Sequence, residues 1–271
     1  MDKWINKLDK PLMLPIVRRQ KENTNVDTFF FKYSLKSQAG QFVMMWIPGV
    51  DEKPFSIAYD TGDELGLAVA KVGPFTEELF KLKEGDKVGI RGPYGKGFWK
   101  EDSAKKVVMV GGGYGVAPLL NIAEELAKAG VEIHMINGAR SKDLLLFQDR
   151  LNNLDAKIYT TTDDGSHEIK GLVTDPLKEI LEKEQIDLVY TCGPEQMEKA
   201  VFDICESAKV NCQISIERYM KCGMGVCGAC AVDGTGEPMC IKGPVVDSET
   251  AREITEFGKY HRSGSGVKKD F

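Results

Sequence analysis

The chain has 271 residues, 42% of them hydrophobic and 28% charged, which suits a folded protein of two domains plus an appendage. A formal charge of −5 without a basic tract argues against nucleic acid as a partner, and no stretch is long and apolar enough to span a bilayer. Seven cysteines is an odd number and the first ten residues carry no apolar signal core, so reduced cysteines in a cytoplasmic protein are expected.

Residues 1–101 have the pattern of β-structure. Val26-Asp-Thr-Phe-Phe-Phe-Lys-Tyr is rich in β-branched and aromatic residues. Residues 42–47, 55–59, 65–72 and 87–91 follow as short strands between Gly, Pro and Asp signals, a pattern that predicts a barrel. Two stretches offer more than a turn. One is Lys53-Pro54-Phe55-Ser56; the other is Lys71-Val72-Gly73-Pro74-Phe75-Thr76, which leads into a short helix from Glu77. A cation, a hydroxyl and a helix N-terminus are what a pyrophosphate needs, although taken alone they are also ordinary strand-end chemistry. Arg91-Gly92-Pro93-Tyr94-Gly95 is expected to close the barrel as a rigid turn.

Residues 102–217 switch to alternating strands and helices. Strands are predicted at 106–110, 131–136, 156–161, 187–191 and 212–216, and helices at 117–129, 142–151, 175–184 and 195–208. The alternation predicts a parallel sheet with helices on both faces and ligands at the carboxyl ends of its strands. Gly111-Gly112-Gly113-Tyr114-Gly115-Val116-Ala117-Pro118 lies between the first strand and first helix, where backbone can approach a pyrophosphate. Pro118 replaces the last glycine of the usual dinucleotide fingerprint, and Asn137-Gly138-Ala139-Arg140 ends the second strand where an acidic residue is usual. Thr160 to Ser166 is a polar loop expected on the same crevice, although taken alone it reads as a solvated turn. Cys192-Gly193-Pro194 precedes a helix, so Cys192 is expected to be exposed with a reason for a lowered pKa, the alternative being a buried cysteine before a turn. Cys205 and Cys212, in apolar contexts, are expected to be buried. His134, His167 and His261 share no spacing and suggest no histidine metal site.

Residues 218–271 hold Cys222, Cys227, Cys230 and Cys240 at C-x4-C-x2-C-x9-C. The first three match the plant-type [2Fe–2S] run, in which one loop must supply three of four thiolates. Gly223, Gly225 and Gly228 between the ligands tolerate positive φ and leave amides free to point at sulfur. Four thiolates also suit tetrahedral zinc, but zinc usually takes two separated C-x2-C pairs, so the spacing favours iron–sulfur.

K-P-F-S, G-P-F-T, R-G-P-Y-G, G-G-G-Y-G-V-A-P and C-G-P-E occur in that order. Together they resemble the ferredoxin–NADP reductase superfamily, a flavin-binding barrel followed by a nicotinamide-binding α/β domain. E-R-Y-M-K-C-G-M-G-V-C-G-A-C, the later C-I-K-G-P-V-V-D, and T-D-D-G-S followed by K-G-L-V-T-D narrow the resemblance. They are similar to the electron-transfer subunit of the NAD-dependent, class 1B dihydroorotate dehydrogenases. The resemblance implies FAD held by Lys53, Pro54, Phe55, Ser56, Lys71, Val72, Phe75 and Thr76, with Lys53 standing where the family more often has arginine and Phe75 where many relatives have glycine. It implies NAD at Gly111, Gly112, Gly113, Gly115, Gly193 and Pro194, with Cys192 at the nicotinamide ring. Arg140 is the cation that could accept the extra phosphate of NADP. Cys222, Cys227, Cys230 and Cys240 would ligate [2Fe–2S].

The implied partner is an FMN-containing catalytic subunit that oxidises dihydroorotate in pyrimidine biosynthesis, in a heterotetramer with two of each chain. No acid–base residue for the pyrimidine is expected in this chain. Met224, Val226 and Pro244 to Val246 are expected to be exposed for that partner. Two other readings fit the same motifs. One is a sister FAD/[2Fe–2S] subunit of a sulfide dehydrogenase, hydrogenase or bifurcating ferredoxin–NADP reductase. The other is a zinc-stabilised regulatory module that binds a nucleotide.

Overall fold

The structure is a computed structural model and describes residues 8–271; the first seven residues of the expected barrel domain lie outside the described residues. β1 (Leu8–Lys21), β2 (Val26–Phe31), β3 (Phe42–Ile47), β4 (Asp51–Asp60), β5 (Leu65–Ala70) and β6 (Lys87–Tyr94) close a barrel in the order β1-β2-β5-β4-β3-β6. Every neighbouring pair is antiparallel. Phe29, Phe31, Val43, Met45, Ile57, Leu65, Leu67 and Ile90 fill it. β2 shows no alternation because both its faces are covered: Phe29 and Phe31 point into the barrel, while Val26 joins the core of the next domain. A short helix, α1 (Pro74–Leu79), plugs one end with Phe75 and Leu79.

β1 is a strand that the sequence pattern hides. It carries Pro11 and Pro15, and its register shifts between Leu8 and Leu12 and again between Ile16 and Arg18. Prolines are tolerated where such irregularities leave an amide unneeded. Arg91-Gly92-Pro93-Tyr94 continues β6 instead of forming only a turn.

The second domain is built on β7 (Lys106–Gly112), α2 (Val116–Lys128), β8 (Glu132–Ala139), α3 (Gln148–Asn152), β9 (Lys157–Thr162), β10 (Ile169–Lys170), α4 (Thr174–Lys183), β11 (Leu188–Cys192), α5 (Glu195–Ala208) and β12 (Cys212–Ser215). Its strands run parallel in the order β10-β9-β8-β7-β11-β12. The chain leaves β7 toward β8 on one side and returns to β11 on the other. The switch point therefore lies at the carboxyl ends of β7 and β11, where such sheets bind ligands.

The helix expected over 142–151 is interrupted. A 3-10 turn at Lys142–Leu144 gives way to extended chain, and α3 starts only after Phe147 at φ +54°. Leu145, Leu146 and Phe147 are all buried, and three consecutive apolar residues cannot share one face of a helix. Thr160 to Thr162 lie buried within β9, so the polar loop begins only at Asp163.

The C-terminal region supplies α6 (Met239–Lys242), β13 (Val245–Asp247), α7 (Ser248–Glu253) and a hairpin of β14 (Tyr260–Arg262) and β15 (Lys268–Asp270). β13 pairs antiparallel with β12 and extends the sheet to seven strands, which stitches the cysteine region onto the second domain. The barrel is gripped from the other side. Asn121 on α2 donates to the Ile57 carbonyl at 3.0 Å, and Arg150 on α3 donates to the Ala58 carbonyl at 2.9 Å. Both acceptors lie on β4, the strand that carries Lys53 to Ser56.

Candidate functional site

The cysteine loop runs between β12 and α6. Gly223, Gly225 and Gly228 sit at φ +69°, +77° and +70°, a conformation that side chains disfavour. The turns aim amides at sulfur. Met224 and Val226 donate to Cys222 Sγ at 3.4 and 3.3 Å, Gly225 to Cys240 Sγ at 3.1 Å, and Cys240 to Cys230 Sγ at 3.4 Å. Burial alone would push the Cys222 thiol up, but the amides of Met224, Cys227 and Val226 outweigh it and bring it down to about 7. Cys230 is drawn down mainly by the hydrogen bond it shares with Cys240.

Side-chain hydrogen bonds join the thiols two by two, Cys222 with Cys227 and Cys230 with Cys240. Among the described residues no three cysteine sulfurs lie within 4.8 Å of one another. Tetrahedral zinc would gather all four at separations of roughly 4 Å. Two pairs are what two irons require, so the donor set fits a [2Fe–2S] cluster.

The loop rests on the barrel. A side chain at Gly223 would meet Met44 at 3.1 Å and Tyr94 at 3.2 Å. Arg91, buried on β6, donates to the Cys222 carbonyl at 2.6 Å and to the Tyr94 hydroxyl at 3.1 Å. Glu52 on β4 holds the same guanidinium through two bonds at 2.7 and 2.5 Å. A continuous chain of contacts thus runs from the first cysteine to the strand of Lys53 to Ser56. Glu52 lies outside every motif, and Arg91, the first residue of R-G-P-Y-G, does more than open a turn.

Along that strand Lys53 is half-buried and pairs with Asp51 at 2.5 Å, with the Tyr219 ring 5.8 Å from its ammonium. Pro54 and Phe55 are half-buried, and Ser56 is exposed. Lys71 and Val72 are exposed, Val72 by 75%. Phe75 is a barrel-core residue packed on Phe55 with ring centroids 5.8 Å apart. Thr76 spends its hydroxyl on the local turn: it accepts from the amides of Val72 and Gly73 at 2.9 and 3.1 Å and donates to the Gly73 carbonyl. Phe75 thus packs into the barrel and Thr76 braces the loop that presents Lys71 and Val72. Tyr219, between β12 and the cysteines, is the aromatic surface at this edge that the sequence reading passes over.

At the switch point the two loops form one floor. A Cβ at Gly115 would lie 2.1 Å from the Cys192 carbonyl oxygen, and one at Gly112 would lie 2.4 Å from Met197 Sδ and 3.1 Å from Pro194 Cδ. Gly111 pairs with Cys192 across β7 and β11. Gly115 and Gly112 are thus needed for loop-on-loop packing, whereas Gly113, at φ +54° with nothing within 4 Å, leaves the space a ligand can use. Gly193 donates its amide to Glu198 Oε1 at 3.1 Å, which ties the loop to α5. Cys192 is half-buried, and burial, reinforced by Glu198, pushes its thiol up. The expected exposed, lowered-pKa cysteine is corrected: Cys192 is a half-buried, neutral thiol. Arg140 is exposed just beyond β8. Cys205 and Cys212 are fully buried, as expected.

Of the apolar residues expected to be exposed, Val226 is 79% exposed; Ile241, beside the fourth cysteine and outside that expectation, is exposed as well. Met224 is half-buried. Pro244, Val245 and Val246 are buried: β13 takes Val245 and Val246 into the sheet, and Pro244, just before it, bridges to Lys96. No helix among the described residues is long and apolar enough to cross a membrane.

Residues 109–203 match the family model of an oxidoreductase NAD-binding domain, and residues 217–251 match that of the iron–sulfur cluster binding domain of dihydroorotate dehydrogenase B. A Methanocaldococcus jannaschii protein named as the electron transfer subunit of dihydroorotate dehydrogenase B (NAD(+)) is 44% identical over 261 residues, covering 96% of this chain and 99% of the relative. A Pyrococcus abyssi protein of the same name is 46% identical over 244 residues, covering 89% and 92%. Among solved structures, that of an NADH-dependent reduced ferredoxin–NADP oxidoreductase superimposes with a TM-score of 0.82 at 30% identity, covering 91% of this chain and 93% of the other. The cytochrome b5 reductase domain of Ulva prolifera nitrate reductase, at 19% identity and a TM-score of 0.62 over 74% of this chain and 93% of its own, shares the fold. Barrel, parallel sheet, paired cysteines and these full-length relatives agree: the chain belongs to the family of electron transfer subunits of NAD(+)-dependent dihydroorotate dehydrogenase B, oxidoreductases that work with FAD, a [2Fe–2S] cluster and NAD.

Proposed function

We propose that this chain carries electrons from a dihydroorotate-oxidising, FMN-containing partner through its [2Fe–2S] cluster and FAD to NAD+, in a complex of two of each subunit. Membership of an electron transfer subunit family implies a catalytic partner subunit. The flavin supplies the exchange between one-electron and two-electron carriers. The protein's part is placement. Cys222, Cys227, Cys230 and Cys240 hold the cluster, Lys53 to Ser56 with Lys71, Val72 and Tyr219 border the flavin, and Gly113 and Cys192 orient the nicotinamide. We assign residues 1–101, 102–217 and 218–271 to the flavin, nicotinamide and cluster units.

The observation that carries this reading is the two-sided position of the cysteine loop. Its inner side is bonded to the barrel through Arg91 at 2.6 Å, and its outer side exposes Val226 and Ile241. An exposed apolar rim beside a one-electron centre suits a surface that docks a donor.

The test is reconstitution. The isolated chain is expected to oxidise NADH with artificial acceptors and to leave dihydroorotate untouched. Adding the FMN-bearing partner is expected to yield dihydroorotate-dependent reduction of NAD+. Turnover of dihydroorotate by the isolated chain would refute this division of labour. A partner that binds without ever giving coupled turnover would favour a sister complex with another electron donor, a reading that the 30% identity to the NADH-dependent ferredoxin–NADP oxidoreductase keeps in play.

A further inference from the structure

The amino end of the parallel sheet, opposite the glycine loop, holds a group of side chains that electron transfer does not use. Glu132 and His134 are two residues apart on β8, so they leave the strand on the same side. Glu184 follows α4 and is brought to them by the fold. His134 is fully enclosed. Its ring stacks on Tyr159 of β9 at 5.8 Å and 10°, and its Nδ1 lies 3.1 Å from the Tyr159 hydroxyl. Its other nitrogen, Nε2, is buried with no hydrogen-bond partner, a costly state for an imidazole.

That orphaned nitrogen is aimed at two carboxylates. Nε2 stands 3.5 Å from Glu184 Oε2 and 3.7 Å from Glu132 Oε1, and the three ligand atoms lie within 4.8 Å of one another. Zinc–nitrogen and zinc–carboxylate bonds of about 2.0–2.2 Å put neighbouring tetrahedral ligands about 3.4 Å apart. The two histidine edges already have that length. An imidazole donor suits zinc, copper or nickel and does not suit magnesium or calcium. The Tyr159 hydroxyl on Nδ1 is the kind of second contact that fixes a ligating histidine in one orientation.

We propose that Glu132, His134 and Glu184 form a site for a divalent transition ion of the zinc class, with water completing the coordination. The site clamps the start of β8 to the connection between α4 and β11. Two ammonium groups compete for it. Lys106 Nζ lies 2.6 Å from Glu184 Oε2 and 3.1 Å from Glu132 Oε2, and Lys157 Nζ lies 2.8 Å from Glu132 Oε1. The ion must take Glu132 Oε1 from Lys157 and Glu184 Oε2 from Lys106, so both lysines set the affinity.

The test titrates chelator-washed protein, with cluster and flavin in place, with zinc chloride in a calorimeter. The parent is expected to bind about one ion per chain at this site and to unfold at a higher temperature with zinc than without. His134→Gln is expected to weaken binding at least tenfold and to lose the thermal shift. Glu184→Gln, at a position less buried than His134, is expected to do the same if the histidine variant folds poorly. Lys157→Met is expected to tighten binding several-fold. Equal zinc affinity in the parent and in both weakening variants, or weaker binding in Lys157→Met, would overturn the proposal, as would a parent that binds no zinc.

Discussion

Gly115→Ala tests the floor beneath the nicotinamide in a way that distinguishes packing from ligand contact. The added Cβ would sit 2.1 Å from the Cys192 carbonyl oxygen, 2.3 Å from its carbon and 2.6 Å from Gly193 N, all backbone atoms. Ordinary contact begins near 3.4 Å, so β11's end and the glycine loop must part by about 1.3 Å. Overpacking of this kind costs about 1–3 kcal/mol of stability. The displacement reaches Cys192 directly, and a shift of about 1 Å at a reacting centre can cost on the order of 100-fold in rate. Anaerobic stopped-flow mixing with NADH, read at the flavin absorption, is expected to show flavin reduction slowed by at least about tenfold. The resting spectra of flavin and cluster should be unchanged, because both sites lie elsewhere. Gly113→Ala is the control. It faces open space, so it should leave the floor intact and act mainly on NADH affinity, apart from the modest strain of its positive φ. Flavin reduction at the parental rate in Gly115→Ala would show that these loops do not position the nicotinamide.

Cys227→Ser is expected to remove or destabilise the cluster while most of the flavin stays bound, measured as iron and flavin content, because the barrel makes no use of this thiol. Val226→Asp is expected to weaken binding of the partner by at least about tenfold in a pull-down or calorimetric titration and to leave NADH oxidation with artificial acceptors intact, since a charge replaces an exposed apolar contact. Glu198→Gln is expected to stabilise the fold increasingly as pH rises. Burial holds the Glu198 carboxyl well above its ordinary 4.5, and one oxygen has no partner, so folding must keep or take up a proton there. The native carboxyl therefore costs nothing below the unfolded value, and its cost grows by up to about 1.4 kcal/mol per pH unit until the folded value is reached. Glutamine can keep the oxygen that accepts from Gly193. Thermal unfolding of both proteins from pH 5 to pH 9 checks it; a gap that stays constant or narrows as pH rises would contradict it.

Much of the architecture was legible because local pattern and tertiary demand agree. β3 and α5 have the ends that their periodicity predicts, and the glycines between the cysteines occupy positive φ. The cysteine spacing already favoured two irons over zinc, and the pairing of the sulfurs gives the reason. The misses share one cause: a residue's task was set by something distant in sequence. Pro11 and Pro15 hide β1 because barrel closure tolerates prolines at irregular register. Pro244 to Val246 look like an exposed apolar rim until β12 claims them. Cys192 looks activated beside a helix start, but burial and Glu198 keep it neutral.

The central claim is that one chain stores electrons at a flavin and at a two-iron cluster in contact through the barrel. Anaerobic titration of the purified chain with NADH, followed by visible absorption and electron paramagnetic resonance, tests it most directly. The account predicts about two irons and about one flavin per chain, uptake of about three electrons, and a signal from a reduced [2Fe–2S] centre once the flavin has bleached. Zinc in place of iron, or uptake that ends at the flavin with no cluster signal, would contradict it.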